Sequence, residues 1–240
     1  MTLKVKNDLF DYPNRYIMQI KDGFKFSLDS LLLAEFVSLR QSDKLILDMC
    51  TGNAPVPLVL SLKTDAKIIG FELQKDIAEL ACESISINGL DKQIKVINDD
   101  VKNIDEFFKP NSFDVITCNP PYFKVNDDKN KNKNDYLTLA RHEIAIDLET
   151  IFKLVNRFLK DNGNFYMVHR AERLDEIIIL ANKHRLNVKE IQFISTKKNN
   201  NPNTILVKCV KNSKLGVKIK KEICVDNLST YQHLFEGSSK

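Results

Sequence analysis

The chain has 240 residues, 43% apolar and 28% charged, with only 7 Gly and 7 Pro. Those proportions fit one globular domain with a sizeable core; they exclude low-complexity or collagen-like sequence, and no apolar run reaches the roughly 18 to 20 residues of a membrane-spanning helix. The net charge of +4 permits a polyanionic partner without requiring one, and five scattered cysteines without a C-x-x-C pair predict neither a disulfide framework nor a zinc cluster.

In chain order, residues 1–14 mix Lys4, Lys6, Asp8 and Asp11 with scattered apolar residues and lack the apolar stretch of a secretory signal, so a reducing cytoplasm is the expected location. Residues 16–21 and 24–26 bracket Asp22-Gly23, a hairpin signal, and a helix is predicted over 29–39. From Lys44 onward short apolar runs alternate with segments of helical period, the pattern of an open α/β sheet. Strands are predicted at 45–48, 67–71, 94–97 and 113–118. Between the second and third of these, Ile77, Leu80, Ala81, Ser84, Ile85 and Asn88 share one face of a helix stopped by Gly89. A further helix, N-capped by Asp147, carries Leu148, Ile151, Phe152, Val155 and Leu159 on one stripe, with Gly163 past its end. A strand at 164–169, a helix at 173–184 and strands at 188–195 and 204–210 complete the series. The loop 197–203 is too short for a crossover helix, so the last two strands are expected to be antiparallel neighbours.

Ligands of an open parallel sheet bind beyond the C-terminal ends of its strands. After the first strand, Asp48-Met49-Cys50-Thr51-Gly52-Asn53-Ala54 offers a sharp turn at Gly52 and, from the helix start that follows, free N–H groups. Glu72, beyond the second strand, suits a ribose diol, while the lack of G-x-G-x-x-G argues against a pyrophosphate. Asn98-Asp99-Asp100 brings carboxylates to the end of the third strand, where an acid can accept from an adenine amino group and Val101 can offer its N–H. Such acids also simply solvate a strand end. After the fourth strand stands Asn119-Pro120-Pro121-Tyr122. The prolines fix φ, so the Pro120 carbonyl and the Asn119 side-chain oxygen can converge on a planar NH₂ group, and Tyr122 offers a face on which a base can stack.

Together, residues 48–54, Glu72, Asp100 and 119–122 resemble the class I S-adenosylmethionine-dependent methyltransferases that act on exocyclic nitrogens. Within that class the chain is similar to the bacterial tRNA (adenine-N6) methyltransferases of adenosine 37 in valine tRNA. That closer resemblance rests on Gln19 with residues 22–34, on 119–122, and on Ala140-Arg141-His142-Glu143. It implies a Rossmann-like α/β fold of seven mostly parallel strands with an antiparallel last strand and helices on both faces. The methyltransferase domain would span 28–211, between an N-terminal hairpin or lid (1–27) and a basic C-terminal extension (212–240). The implied cofactor is S-adenosylmethionine, held by Phe26, Asp48, Cys50, Gly52, Asn53, Glu72, Leu73, Asp100, Val101 and Asn119. The implied catalytic set is Asn119, Pro120, Pro121 and Tyr122. The implied partner is tRNA, bound by a monomer or weak homodimer through Lys124, Lys129, Lys131, Lys133, Arg141 and His142, with no metal and no membrane. Two positions depart from the pattern: Ala54 stands where the family usually has Gly, and Cys50 where many class I enzymes do. A methyl at 54 is expected to weaken cofactor binding without abolishing it if φ there is negative.

The lysines after the active-site tyrosine suit phosphates beside an inserted base. The second basic run (Lys208, Lys211, Lys214, Lys218, Lys220, Lys221) reads equally as a lysine-blunted sheet edge. Cys118 reads as packing rather than a nucleophile, and His142-Glu143 lacks the second histidine of a zinc helix, since Ile146 holds that place. Three alternatives stay open: a glutamine-N5 methyltransferase, a ribosomal RNA guanine-N2 methyltransferase, and an RNA-binding relative that has lost catalysis.

Overall fold

The structure, a computed structural model, describes residues 3–10, 12–21, 27–121, 146–197 and 201–225. Its elements run β1 (Lys4–Asp8), β2 (Tyr16–Ile20), α1 (Leu28–Phe36), β3 (Leu45–Met49), α2 (Pro55–Leu60), β4 (Lys67–Phe71), α3 (Lys75–Ile87), β5 (Ile94–Ile97) and a 3-10 turn at Val101–Glu106. They continue through β6 (Phe113–Cys118), α4 (Leu148–Phe158), β7 (Leu159–Arg170), α5 (Leu174–Lys183), β8 (Leu186–Ser195), β9 (Thr204–Lys211), β10 (Lys218–Ile219) and β11 (Ile223–Cys224).

Seven strands make the body of the main sheet in the order β8-β9-β7-β6-β3-β4-β5, and the short β10 and β11 both pair with β8. Neighbours are parallel except β9, which runs antiparallel to both β7 and β8, as the short 197–203 loop requires. Chain order reverses between β3 and β6, and there the strand ends leave the crevice that binds ligands in such sheets.

Successive side chains of each strand feed opposite cores. Ile46, Ile68, Val115 and Tyr166 pack with α1, α2 and α3 on one face; Leu47, Ile69, Ile116 and Phe165 pack with α4 and α5 on the other. Helix α3 ends as expected at Gly89, whose φ of +66° closes a double hydrogen bond: Gly89 N–H donates to the Ser86 carbonyl at 2.9 Å and Leu90 N–H to the Ile85 carbonyl at 3.1 Å.

Three expected elements differ. Strand β2 pairs with the upstream β1, in register from Lys4 opposite Ile20 to Asp8 opposite Tyr16, and the expected partner segment 24–26 lies outside the described residues. The β1–β2 turn is set by left-handed Phe10 and Asn14 and by burial of Leu9, Tyr12 and Ile17, which the polar sequence of β1 does not advertise. Helix α1 stops at Phe36 rather than 39 because the backbone of Ser38 is held by Tyr166, whose hydroxyl donates to the Ser38 carbonyl at 2.9 Å. Helix α4 stops at Phe158, since Leu159 turns extended to pair with Phe113; β7 therefore starts at 159, and Gly163 lies within that strand, where a Cβ would meet the Lys160 carbonyl at 2.8 Å.

Candidate functional site

Parallel registers bring the ends of β3, β4, β5 and β6 level: Met49 lies opposite both Phe71 and Cys118, and Phe71 opposite Ile97. The residues just beyond them therefore form one rim, from Asn98 through Glu72 and the 48–54 turn to Asn119. With strands about 4.8 Å apart, the rim is about 14 Å long.

At its centre Asp48, only 2% exposed, accepts from the Thr51 hydroxyl at 2.6 Å and the Thr117 hydroxyl at 2.5 Å. Burial pushes its carboxyl up to about 7 against the pull of those two bonds, and the charge of Glu72 adds to the rise. The turn that follows is left-handed at Cys50 (φ 58°), Gly52 (φ 58°) and Ala54 (φ 71°). The condition attached to Ala54, a negative φ, is thus not met: the fold imposes a glycine-like conformation on an alanine. The helix start after the turn also differs from expectation. Pro55 and Pro57 carry no N–H, so of the first three positions of α2 only Val56 offers a donor.

Gly52 N–H instead donates to Glu72 Oε2 at 2.9 Å, while Glu72 Oε1 accepts from Gln74 N–H at 2.9 Å. Two backbone donors thereby fix the carboxylate and leave lone pairs to accept from a diol. Glu72 is 6% exposed, and its burial raises its pKa. Leu73, by contrast, is 41% exposed. Asn98 Nδ2 ties the next strand in, donating to the carbonyls of Glu72 at 2.9 Å and Leu73 at 3.0 Å.

Both acids beyond β5 have protein partners. Asp99 Oδ1 accepts from Asn103 Nδ2 at 2.8 Å, and Asp100 caps the 3-10 turn through Lys102 N–H at 2.9 Å and pairs with the Lys102 ammonium at 2.9 Å. The Val101 side chain is buried in the core. Asn53 is fully buried; its Nδ2 donates to the Met18 carbonyl of β2 at 2.8 Å, whereas its Oδ1 has no hydrogen-bond partner. Asn119 is half-buried and its Nδ2 donates to Ser30 Oγ of α1 at 2.9 Å; Pro120 beside it is buried. Cys118 is buried and inert, burial lifting its thiol well above the ordinary range. Phe26, Tyr122, Lys124, Lys129, Lys131, Lys133, Arg141 and His142 lie outside the described residues.

Thr51, Ser30 and Asn98 lie in stretches the sequence singles out but have no individual role there, and Thr117 reads only as a strand residue. Thr117 leaves a trace, a hydroxyl inside the apolar run Val115-Ile116-Thr117-Cys118. In the second basic run, Lys208 pairs with Glu190 at 3.0 Å and Lys211 is buried on the carbonyls of Asn156 at 2.6 Å and Leu159 at 2.8 Å, so both serve the fold. No group of His, Cys, Asp and Glu able to hold a metal occurs among the described residues, and no helix there is long and apolar enough to cross a membrane.

The family model for a methyltransferase domain matches residues 40–226, the whole sheet body included. The chain belongs to this methyltransferase family. Among curated relatives it is similar to a protein of Cytophaga hutchinsonii named tRNA1(Val) (adenine(37)-N6)-methyltransferase, 27% identical over 78% of this chain and 77% of that one. Among solved structures it superposes on a predicted O-methyltransferase from Agrobacterium tumefaciens with a TM-score of 0.69 at 17% identity, covering 88% of this chain and 97% of that one. A geranyl diphosphate C-methyltransferase from Streptomyces coelicolor, solved with S-adenosyl-L-homocysteine, aligns with a TM-score of 0.55 at 11% identity over 76% of each chain. The fold is that of the class I S-adenosylmethionine-dependent methyltransferases.

The donor set of this methyltransferase fits S-adenosylmethionine. Glu72 is oriented to accept from a ribose diol. Asp48, held high by burial, and the unpartnered Asn53 Oδ1 are acceptors suited to an ammonium.

Proposed function

We propose that the protein transfers a methyl group from S-adenosylmethionine to the exocyclic N6 of an adenosine in tRNA, at position 37 of valine tRNA. The observation that carries the reading is the place of Asn119-Pro120: at the end of β6, directly across the sheet register from the Asp48 turn. The name borne by the curated relatives supports the substrate.

When bound, S-adenosylmethionine supplies an electrophilic methyl on its sulfonium. The chain's own residues position the two partners. Glu72 and the 48–54 turn hold the cofactor by its ribose and amino-acid ends. The Asn119 side-chain oxygen and the Pro120 carbonyl would accept the two hydrogens of N6 and turn its lone pair out of the adenine ring, and the proton N6 gives up on methylation would pass to solvent. Tyr122 stacks on the base, and Lys124, Lys129, Lys131, Lys133, Arg141 and His142 contact the surrounding RNA. An anticodon-loop adenosine leaves its stack at lower cost than a paired one. In this reading 28–211 is the catalytic domain, with 1–27 as a hairpin or lid and 212–240 as a basic extension.

The test is transfer of labelled methyl to tRNA from cells lacking the modification, followed by nucleoside analysis. N6-methyladenosine in valine tRNA is expected, and Asn119→Ala should lower kcat by about 10²–10³-fold, the loss seen when one preorganised polar group is removed. Label in ribosomal RNA or protein with tRNA blank overturns the substrate. Absence of cofactor binding at millimolar concentration overturns the activity.

A further inference from the structure

We infer that Cys50 and Cys118 are a redox pair that a peroxide closes to a disulfide across the junction of β3 and β6, disabling the cofactor rim until a reductant reopens it. The inference rests on the reading above in one respect, that the 48–54 turn seats the amino-acid end of the cofactor.

The pairing is a product of the turn. Met49 lies opposite Cys118 in the parallel register, so Cys50 stands one residue beyond. With strands about 4.8 Å apart and a rise of about 3.3 Å per residue, the two Cα atoms are about 6 Å apart, inside the roughly 4.4–6.8 Å span of disulfides. Alternation along a strand would send the Cys50 side chain to the face away from Met49 and Cys118. The left-handed φ of 58° at Cys50 breaks that alternation, and Cys50 packs against the core that holds Leu47, Met49 and Cys118. There the thiols meet: the Cys118 thiol, raised first by burial, is raised further by the adjoining Cys50 thiol. Cys50 is half-buried and Cys118 buried, so a small oxidant reaches the first and not the second. The remaining cysteines lie elsewhere, Cys82 on α3, Cys209 on β9 and Cys224 on β11.

The step balances with one hydrogen peroxide. The Cys50 sulfur attacks a peroxide oxygen, the O–O bond breaks, and one water leaves behind a sulfenic acid. Cys118, inert toward dissolved reagents, adjoins that sulfur from the core side and displaces its hydroxyl as a second water. The two thiol protons end in the waters; the sulfurs lose two electrons and the peroxide gains them. Bonding draws the sulfurs to about 2.05 Å, which pulls Cys50 toward β6. Cys50 stands between Asp48 and Gly52, whose N–H holds Glu72 at 2.9 Å, and Cys118 adjoins Asn119, so one bond disturbs both sides of the rim.

Full-length protein is treated with a few equivalents of hydrogen peroxide, alkylated and digested for disulfide mapping by mass spectrometry. Cofactor affinity is read by calorimetry before treatment, after it, and after dithiothreitol. The expected result is a linked Cys50–Cys118 peptide pair and affinity lowered about tenfold, the worth of one displaced hydrogen bond, with recovery to within about twofold on reduction. Cys118→Ala should stop at the sulfenic acid, captured on Cys50 by dimedone. Thiols left free in treated wild type, or a linkage through Cys82, Cys209 or Cys224, overturn the pair whether or not that variant folds. A Cys50–Cys118 bond that leaves affinity unchanged overturns the switch, and reduced Glu72→Ala then separates the causes. Lost affinity in Glu72→Ala leaves the cofactor at the rim, undisturbed by the bond; retained affinity overturns the placing of the cofactor as well.

Discussion

At the scale of single residues, the site is built from groups held where their own chemistry resists. Asp48 is the clearest case: burial holds its carboxyl at about 7 in the native state against 3.8 for the ordinary side chain. The native protein therefore keeps a proton that the unfolded chain has released, and stability falls as pH rises between the two values. The contribution is fully present below the lower value and gone above the upper one. Asp48→Asn removes this dependence, so its melting temperature should climb relative to wild type between pH 5 and 8 in the cofactor-free protein; a difference that is flat with pH would refute the assignment. Ala54 is the second case. Its φ of 71° costs an L-residue roughly 1–2 kcal/mol, offset in part by the buried methyl it keeps and by glycine's greater freedom when unfolded. With about 0.8 kcal/mol for the methyl and about 0.4–1 kcal/mol for the unfolded chain set against the strain, Ala54→Gly should stay within about 1 kcal/mol of wild type in denaturant unfolding; a larger loss would show that the methyl packs better than the turn is strained. These two positions also show what the sequence reveals. The places of Asp48, Glu72 and Asn119 at the strand ends were legible because the apolar runs stop beside them. The sign of φ at 54 was not, because it is imposed by the strand pair on either side and not by the residue.

At the scale of elements, strand positions were readable almost residue by residue in β3 to β6, where apolar runs are bounded by polar turns and each feeds a core on both faces. Ends fixed by a distant partner were not. Tyr166 stops α1, and Phe113 captures Leu159 from the end of α4, through contacts that no local pattern encodes. The packing of β4 against the cofactor turn gives a test. A Cβ on Gly70 would meet Thr51 Cγ2 at 2.8 Å and Oγ1 at 2.9 Å, and Thr51 is a short, branched side chain already committed to Asp48. Gly70→Ala should cost about 1–3 kcal/mol in chemical unfolding and weaken cofactor binding as well, since the displaced hydroxyl is one that fixes the acid. Unchanged affinity beside reduced stability would separate the strand from the site.

At the scale of the whole molecule, the β1–β2 hairpin is fastened to the cofactor rim. The peptide of Met18 is held from two sides, its N–H donating to Ser84 Oγ at 2.9 Å and its carbonyl accepting from Asn53 at 2.8 Å, while Leu9, Tyr12 and Ile17 pack into the core of that face. Removing residues 1–21 should lower both the melting temperature and the affinity for S-adenosylmethionine, read by thermal unfolding with and without cofactor. An unchanged affinity would make the hairpin a cover for the core alone. Strand order carries a different consequence, for the path to the native state. Strands β7, β8 and β9 close on one another through near-sequential pairings, whereas β3, which bears the central acid, gains its second flank only when β6 arrives, after three crossovers. Synthesis runs from the N-terminus, so on the ribosome β3 waits with one edge bare until Phe113–Cys118 emerges, and all four strands of the cofactor rim are made before β7 begins at Leu159.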